Sequence, residues 1–137
     1  MDTKILIVED DFANQQVATL FLKKFGYQTE VAENGAIATN LSQENQYSLI
    51  LMDCQMPIMD GFTATKVIRS KPGPNQATPI IALTANLVSG IRADCQQCGM
   101  NDILYKPVTM ATMKNMVEKW IHVVQKTTQI STTPVER

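Results

Sequence analysis

Charged and hydroxyl side chains follow or end four apolar segments of this sequence. Glu9 and Asp10 come after one apolar run, and Asp53 comes after another. Thr84 ends a third run, and Lys106 follows a fourth. If these runs are parallel strands, their carboxyl ends share one edge of a sheet, where ligands bind in such folds. Three carboxylates, a hydroxyl and an ammonium would then meet at one rim.

That combination of groups predicts metal-assisted phosphoryl chemistry. Carboxylates crowded into one cleft repel each other and need a cation or a proton. Oxygen ligands with room for water suit Mg²⁺, which takes one or two carboxylates plus phosphate oxygens. A metal there would screen Asp53 enough for it to attack a phosphorus centre and form an aspartyl phosphate. Thr84 and Lys106 could each contact one phosphoryl oxygen.

Each residue also has an ordinary structural interpretation. Glu9 and Asp10 could simply end a strand, and Lys106 could form a salt bridge, since polar residues are common where strands end. Convergence of four separate strand ends is harder to ascribe to chance. We therefore favour the chemical interpretation of the set.

Short apolar runs alternate with longer amphipathic stretches along the chain. The runs predict strands at 4–8, 28–32, 48–52, 79–84 and 102–105. Four of the runs are nearly continuous in apolar residues, which is typical of strands buried on both faces of a parallel sheet, whereas 28–32 is weaker and more polar, as an edge strand would be. Strands alternating with helices of this length predict a doubly wound α/β fold with right-handed crossovers.

Helix boundaries are marked by capping residues. Asp11, Asn34 and Asp60 are predicted N-caps, while Gly26 and Gly99 are predicted to end helices. The fourth helix is expected between about 87 and 97, and the last one from 109. The inner face of the first helix is predicted to comprise Ala13, Val17, Leu20, Phe21 and Phe25. The core stripe of the last helix is predicted to comprise Met110, Met113, Met116, Val117, Trp120 and Val124.

Size and charge restrict the classes of function. The chain has 137 residues, the size of one domain, and we predict a domain at 1–126 and a polar tail or linker at 127–137. Its net charge of -1 gives no field for binding nucleic acid or an anionic membrane. No apolar run approaches the roughly 18 residues that span a bilayer. Three cysteines are too few for a disulfide scaffold, which favours a cytoplasmic location.

Four motifs carry a resemblance to a known family. They are ILIVEDD at 5–11, MDCQMPIMDG at 52–61, ALTAN at 82–86 and YKP at 105–107. In this order and spacing, over about 4–124, they resemble the receiver domain of two-component response regulators. The resemblance implies a five-stranded parallel sheet of order 2-1-3-4-5 with helices on both faces, as in flavodoxin-like folds.

The resemblance also implies roles for the residues at the rim. Asp53 would be the phosphoacceptor, with Glu9 and Asp10 as the acidic pair and Asp10 as a direct ligand of Mg²⁺. Gln55 would supply a backbone carbonyl to the metal, so the implied metal set is Glu9, Asp10, Asp53 and Gln55. Asn86 would border the phosphoryl site together with Gln55.

Further family positions concern switching. Thr84 would be the switch hydroxyl, Lys106 would contact the phosphoryl group, and Pro107 would follow a cis peptide bond. The family often has an aromatic residue three positions before the lysine, but that position is Ile103 here. The nearby aromatic residue is Tyr105, so we expect switching to depend on Thr84 and on loop movement.

Asn14 and Gln15 resemble receivers attached to hybrid sensor histidine kinases. That similarity implies a histidine kinase or a histidine-phosphotransfer domain as partner, and a cytoplasmic domain of a membrane-bound sensor kinase as context. The alternative is a free-standing response regulator, or the receiver of a regulator with a separate output domain. We expect a phosphoacceptor, with Mg²⁺-dependent self-phosphorylation and slow self-dephosphorylation, rather than an enzyme. A weak homodimer through the fourth helix, fifth strand and fifth helix is a further expectation.

Three other classes compete with this interpretation. A phosphatase of the haloacid dehalogenase type needs a second aspartate two residues after the nucleophile, where Gln55 stands. In a flavodoxin, Glu9, Asp10 and Asp11 would repel the flavin phosphate. A degenerate receiver used only for docking would not need the complete residue set.

The cysteines suggest a separate candidate site, for a metal ion or for redox chemistry. Cys95 and Cys98 have the spacing of a redox or zinc site, but structural zinc takes four ligands. The sequence has one histidine, His122, which is predicted to lie on the surface of the last helix. Cys54 is predicted to pack inward as a small apolar residue.

Overall fold

The chain alternates strands with helices along its whole described length. The computed structural model describes residues 3–85, 87 and 89–132, with side chains to Val124. Its strands are β1 (Lys4–Val8), β2 (Gln28–Ala32), β3 (Leu49–Asp53), β4 (Ile80–Thr84) and β5 (Asp102–Tyr105). Its helices are α1 (Phe12–Lys24), α2 (Gly35–Glu44), α3 (Gly61–Ser70), α4 (Ile91–Cys98) and α5 (Met110–Thr132).

The strands form one parallel sheet in the order β2-β1-β3-β4-β5, which confirms the predicted fold. The order reverses between β1 and β3, because the chain adds β2 on one side of β1 and then the later strands on the other. In open sheets of this kind the ligand crevice lies beyond the carboxyl ends of the strands at such a reversal. The fold therefore places a crevice where β1 and β3 end.

Two hydrophobic cores lie on the two faces of the sheet. Leu6 and Val8 pack with residues of α2, α3 and α4, whereas Ile5 and Ile7 pack with residues of α1 and α5. This alternation follows from the two-residue period of a strand. Burial on both faces explains why β1, β3 and β4 are almost continuously apolar, whereas β2, at the edge of the sheet, is more polar and less buried. Among the described residues, no helix is long and apolar enough to cross a membrane.

The predicted inner face of α1 is wrong in part. Val17 and Leu20 are 44% and 55% exposed, and Ala13 is exposed as well. Phe21 and Phe25 are partly buried against the core, as predicted. The residues of α1 that are buried are Gln15, Ala18 and Leu22. The side of the helix that faces the sheet thus combines Leu22 with a small and a polar side chain, and the helix leaves Val17 and Leu20 in solvent.

The last two helices also differ from the predicted boundaries. α4 begins after Gly90, whose φ of 99° is left-handed, and it ends at Gly99 as predicted. α5 continues to Thr132, into the segment predicted to be a polar tail. Its sequence contains no glycine or proline between 127 and Pro134, so nothing in that stretch stops a helix. Residues 133–137 lie outside the described residues, and the domain boundary at 126 stays a prediction.

β5 is joined to α5 by a polar contact at the end of the sheet away from the crevice. Asp102 Oδ2 accepts hydrogen bonds from Lys119 Nζ at 2.9 Å and from Trp120 Nε1 at 3.0 Å. Burial by itself would raise the pKa of Asp102, but these hydrogen bonds outweigh it and hold that pKa below its ordinary value. The ionised form of Asp102 is therefore stabilised by folding.

Replacing this carboxylate makes a pH-dependent prediction. We expect Asp102→Asn to lower the free energy of unfolding at pH 7 by about 1 kcal/mol. A depressed pKa contributes stability above the unfolded value and loses it as pH falls through the folded value. The difference between variant and wild type should therefore shrink below pH 3.8, the ordinary pKa of this group. Urea unfolding at several pH values measures it. Glu118→Gln, at an exposed carboxylate of α5, is the control and should lower the free energy of unfolding at pH 7 by less than Asp102→Asn does.

Candidate functional site

The residues predicted to act together lie at the carboxyl edge of the sheet. Asp53 is the last residue of β3 and Thr84 is the last residue of β4, and both are buried. Glu9 is 2% exposed directly after β1, whereas Asp10 is exposed. Lys106 follows β5. The structure therefore brings these five residues from four strand ends to one rim.

Lys106 lies between two of the carboxylates. Its Nζ is 2.9 Å from Glu9 Oε1 and 3.2 Å from Asp53 Oδ2. Burial by itself would lower the pKa of Lys106, but the two carboxylates outweigh burial and raise it. The pKa of Glu9 is raised, first by burial and then by Asp53, and Lys106 offsets only part of that rise. The site thus holds more negative charge than its one ammonium neutralises.

The acidic residues have the spacing of a metal site. Carboxylate oxygens of Glu9, Asp10 and Asp53 all lie within 4.8 Å of one another. Two of these side chains are buried, and the exposed Asp10 leaves one side open to water. Hard oxygen donors with room for water suit Mg²⁺, which usually keeps several water ligands. The donor set therefore fits Mg²⁺, with these three residues able to hold it.

The turn between β1 and α1 carries the acidic pair. Glu9 Oε2 accepts a hydrogen bond from Asp11 N at 3.2 Å, and Asp11 in turn caps α1 by accepting from Asn14 N at 2.8 Å. The buried amide of Gln15 donates from Nε2 to the backbone oxygen of Glu9 at 2.7 Å. Sequence reasoning noted Gln15 only as part of a resemblance and missed this contact. The sequence does carry a signal for this contact, namely a polar side chain near the start of the helix that follows the acidic pair.

The loop after β3 is folded tightly against Asp53. Gln55 N donates to Asp53 Oδ1 at 3.1 Å, so the carboxylate is held from this side as well as by Lys106. Gly61 begins α3, and a Cβ atom there would overlap the backbone oxygen of Asp53. Asp60 caps the same helix through Thr63 N, as predicted. The carbonyl group of Gln55 that was predicted to bind metal stays a prediction.

Other predicted features have mixed outcomes. The Lys106–Pro107 peptide bond is cis, as predicted. Ile103 is buried in the core and Tyr105 is 37% exposed. Asn86 lies outside the described residues.

The three cysteines are core residues. Cys54, Cys95 and Cys98 are all buried, and burial raises the pKa of each thiol. Cys54 therefore packs inward as predicted, and His122 is exposed on α5 as predicted. Among the described residues, the cysteines do not form a cluster tight enough for a metal, and the acidic residues do. The phosphoryl site thus remains the strongest candidate.

The family of the chain follows from its similarity to known sequences. The model of the response regulator receiver domain matches residues 5–118. The chain belongs to this family. The receiver domain is 41% identical over 120 residues to hybrid signal transduction histidine kinase A of Dictyostelium discoideum, covering 85% of the chain and 6% of that kinase. It is 38% identical over 117 residues to transcription factor SKN7 of Saccharomyces cerevisiae, covering 85% of the chain and 18% of that protein.

Solved structures show the same fold. The receiver domain of sensor histidine kinase PA1611 from Pseudomonas aeruginosa matches with a TM-score of 0.82 and 39% identity, covering 89% of this chain and 99% of that one. That structure has a magnesium ion coordinated in its active site cleft. The receiver domain of Ssk1, crystallised with the phosphotransfer protein Ypd1 of Saccharomyces cerevisiae, matches with a TM-score of 0.79 and 33% identity, covering 87% and 88%. The chain spans only 6% of the length of the Dictyostelium kinase and 18% of the length of SKN7.

The close approach at Gly61 makes a prediction about the site. Gly61→Ala should lower the free energy of unfolding by about 2 kcal/mol, because the added methyl group overlaps backbone rather than a flexible side chain. Gly73→Ala is the matched control, since only the side chain of Gln43 lies near its added atom. Urea unfolding compares the two. Equal stability of both variants would contradict the tight packing of this loop on Asp53.

Proposed function

We propose that this receiver domain accepts a phosphoryl group from a phosphohistidine onto Asp53 in a two-component phosphorelay. The observation that carries the proposal is the position of the Asp53 carboxylate, buried in a crevice with Lys106 bound to it and two further carboxylates beside it. A cluster with excess negative charge gains from a bound cation. A carboxylate in such a site is a nucleophile of the type that forms aspartyl phosphates.

In the proposed transfer, one bond to phosphorus replaces another. An oxygen of Asp53 forms a bond to phosphorus while the bond between phosphorus and the histidine nitrogen breaks. The electron pair of that bond stays on the imidazole, which takes up a proton. When bound, Mg²⁺ supplies charge neutralisation at the oxygens that Glu9, Asp10 and Asp53 present. Lys106, released from the charge of Asp53, is then free to pair with a phosphoryl oxygen.

We propose that phosphorylation is reported through the ends of β4 and β5. Thr84 is buried at the end of β4, the strand that pairs with β3, and its backbone oxygen accepts a hydrogen bond from Lys106 N at 2.8 Å. A movement of Thr84 toward a phosphoryl group would therefore also move Lys106 and, beyond it, α5. A ligand shifts such an equilibrium only by its differential affinity for the two states. Buried Ile103, in place of an aromatic switch, leaves this task to Thr84 and to the loops.

The partner that we propose is a histidine-phosphotransfer domain or a histidine kinase. α1 presents large apolar side chains to solvent near the crevice, with Phe12 at 71% exposure and with Val17 and Leu20 also exposed. A cavity of about 510 Å³ between α1 and the start of α5 is lined by Val17, Lys106 and Val108, among others. An apolar helix surface on the donor protein would fit this side of the domain. The likeness to a receiver crystallised with a phosphotransfer protein supports this choice.

Two contexts for this domain are compatible with its relatives. We favour the receiver of a hybrid sensor histidine kinase acting in the cytoplasm, because several matched relatives carry that name. The match to a transcription factor supports the alternative of a regulator with a separate output domain. To distinguish these contexts, we would compare the rate of phosphotransfer to this domain from a purified kinase with the rate from a phosphotransfer protein.

Direct labelling tests the phosphoacceptor. Incubation with acetyl phosphate and Mg²⁺ should add one phosphoryl group, seen by intact-mass spectrometry. Asp53→Ala should not be labelled, whereas Asp11→Asn should label like wild type, because asparagine preserves the helix cap. Failure to label the wild type, or equal labelling of Asp53→Ala, would refute the assignment.

Removing the ammonium separates metal binding from phosphorylation. Lys106→Ala should still bind Mg²⁺, because it loses a cation that competes for the oxygens of Glu9 and Asp53. Its labelling should be slower by on the order of 10²-fold, since a positive charge is missing where negative charge develops. Calorimetric titration with Mg²⁺ and the time course of labelling measure these two effects. Loss of Mg²⁺ binding would contradict the role given to Lys106.

A further inference from the structure

Gln15 is a buried polar residue of α1 that phosphoryl transfer itself does not use. Its side chain is 9% exposed, on the face of the helix that packs on the sheet. Its Nε2 donates to the backbone oxygen of Glu9 at 2.7 Å, and the bond is buried. This hydrogen bond offsets the cost of burying the amide, because buried polar groups without a partner are unfavourable.

The carbonyl group of Glu9 lies where the sheet can no longer supply a donor. Glu9 N still donates to Ala32 O at 3.0 Å, which continues the pairing of β1 with β2. After Glu9 the chain turns away toward α1, so its carbonyl group leaves the ladder. Buried backbone oxygens are almost always paired. Gln15 thus replaces the strand donor at the point where β1 ends.

That carbonyl group belongs to the peptide unit between Glu9 and Asp10. A peptide unit is planar, so fixing the direction of its oxygen also fixes the plane that joins both Cα atoms. The carboxylate of Glu9 has its own hydrogen-bond partners in Lys106 and Asp11. Within the described part of the chain, the carboxylate of Asp10 has no hydrogen bond, so its position depends on its backbone.

We propose that Gln15 is a positioning residue that holds the acidic pair in the geometry required for Mg²⁺. The inference rests on the proposed function only in taking Mg²⁺ as the ion of this site. Without the amide donor, the Glu9–Asp10 peptide unit rotates to find another partner. Asp10 then moves away from the oxygens of Glu9 and Asp53, which now lie within 4.8 Å of its own.

Two variants test the amide donor. Gln15→Met keeps the length and helix propensity of the side chain and removes the donor. Gln16→Met is the matched control at the exposed neighbouring position. Calorimetric titration with Mg²⁺ gives the affinity of each protein without any phosphoryl donor.

We expect Gln15→Met to bind Mg²⁺ at least about tenfold more weakly than wild type, as is usual when a group that orients a metal ligand is lost. Gln16→Met should match wild type. In labelling with acetyl phosphate, the half-saturating Mg²⁺ concentration of Gln15→Met should rise in parallel, with its rate at saturating Mg²⁺ little changed. Destabilisation alone would lower the amplitude of binding and leave the affinity of the folded fraction intact.

Other results would overturn the proposal. Affinity for Mg²⁺ in Gln15→Met equal to that of Gln16→Met refutes it. If Gln15→Met does not fold, Gln15→Leu takes its place in the same comparison. A wild-type protein that binds Mg²⁺ but is never labelled refutes the proposed phosphoacceptor and leaves the role of Gln15 intact.

Discussion

Crowding of like charges at one edge of the sheet is the constraint on which the rest of this structure depends. Glu9 and Asp53 are buried, and Asp10 brings a third carboxylate oxygen within 4.8 Å of theirs. Burial and the neighbouring Asp53 both raise the pKa of Glu9, so the cluster needs positive charge. Lys106 supplies it at 2.9 Å from Glu9 and 3.2 Å from Asp53. The charge that remains uncompensated favours a metal cation.

The surrounding fold keeps these charges together despite their repulsion. The strand ends that carry them belong to one sheet with a core on each face, so the buried Glu9 and Asp53 cannot move apart without disturbing packed neighbours, whereas the exposed Asp10 is held through its backbone. Two hydrogen bonds also hold the acidic residues in place. Gln15 Nε2 donates to the backbone oxygen of Glu9, and Gln55 N donates to Oδ1 of Asp53. At Gly61, α3 approaches the backbone of Asp53 closely enough to exclude a side chain. The receiver domain thus holds crowded carboxylates together at the edge of a sheet that is packed on both faces.

Local signals in the sequence predicted the elements well because each has a local physical cause. Apolar runs located four strands and a more polar run located the edge strand β2, while Asp11, Asn34 and Asp60 cap α1, α2 and α3 as predicted. The inner face of α1 was wrong at Val17 and Leu20, since hydrophobicity alone does not say which side of a helix meets the sheet. The extent of α5 was also wrong, because weak periodicity does not end a helix that meets no breaker.

The sequence by itself determined which chemical groups stand at the strand ends, because side-chain type and strand position are both local properties. It also implied that the groups converge, since parallel strands end at a common edge. Only the tertiary structure decided how they converge: the pairing of Lys106 with both Glu9 and Asp53, and the hold of Gln15 on the turn. These distances join residues remote in the chain or on different elements. They are set by the packing of helices on the sheet, which no local pattern specifies.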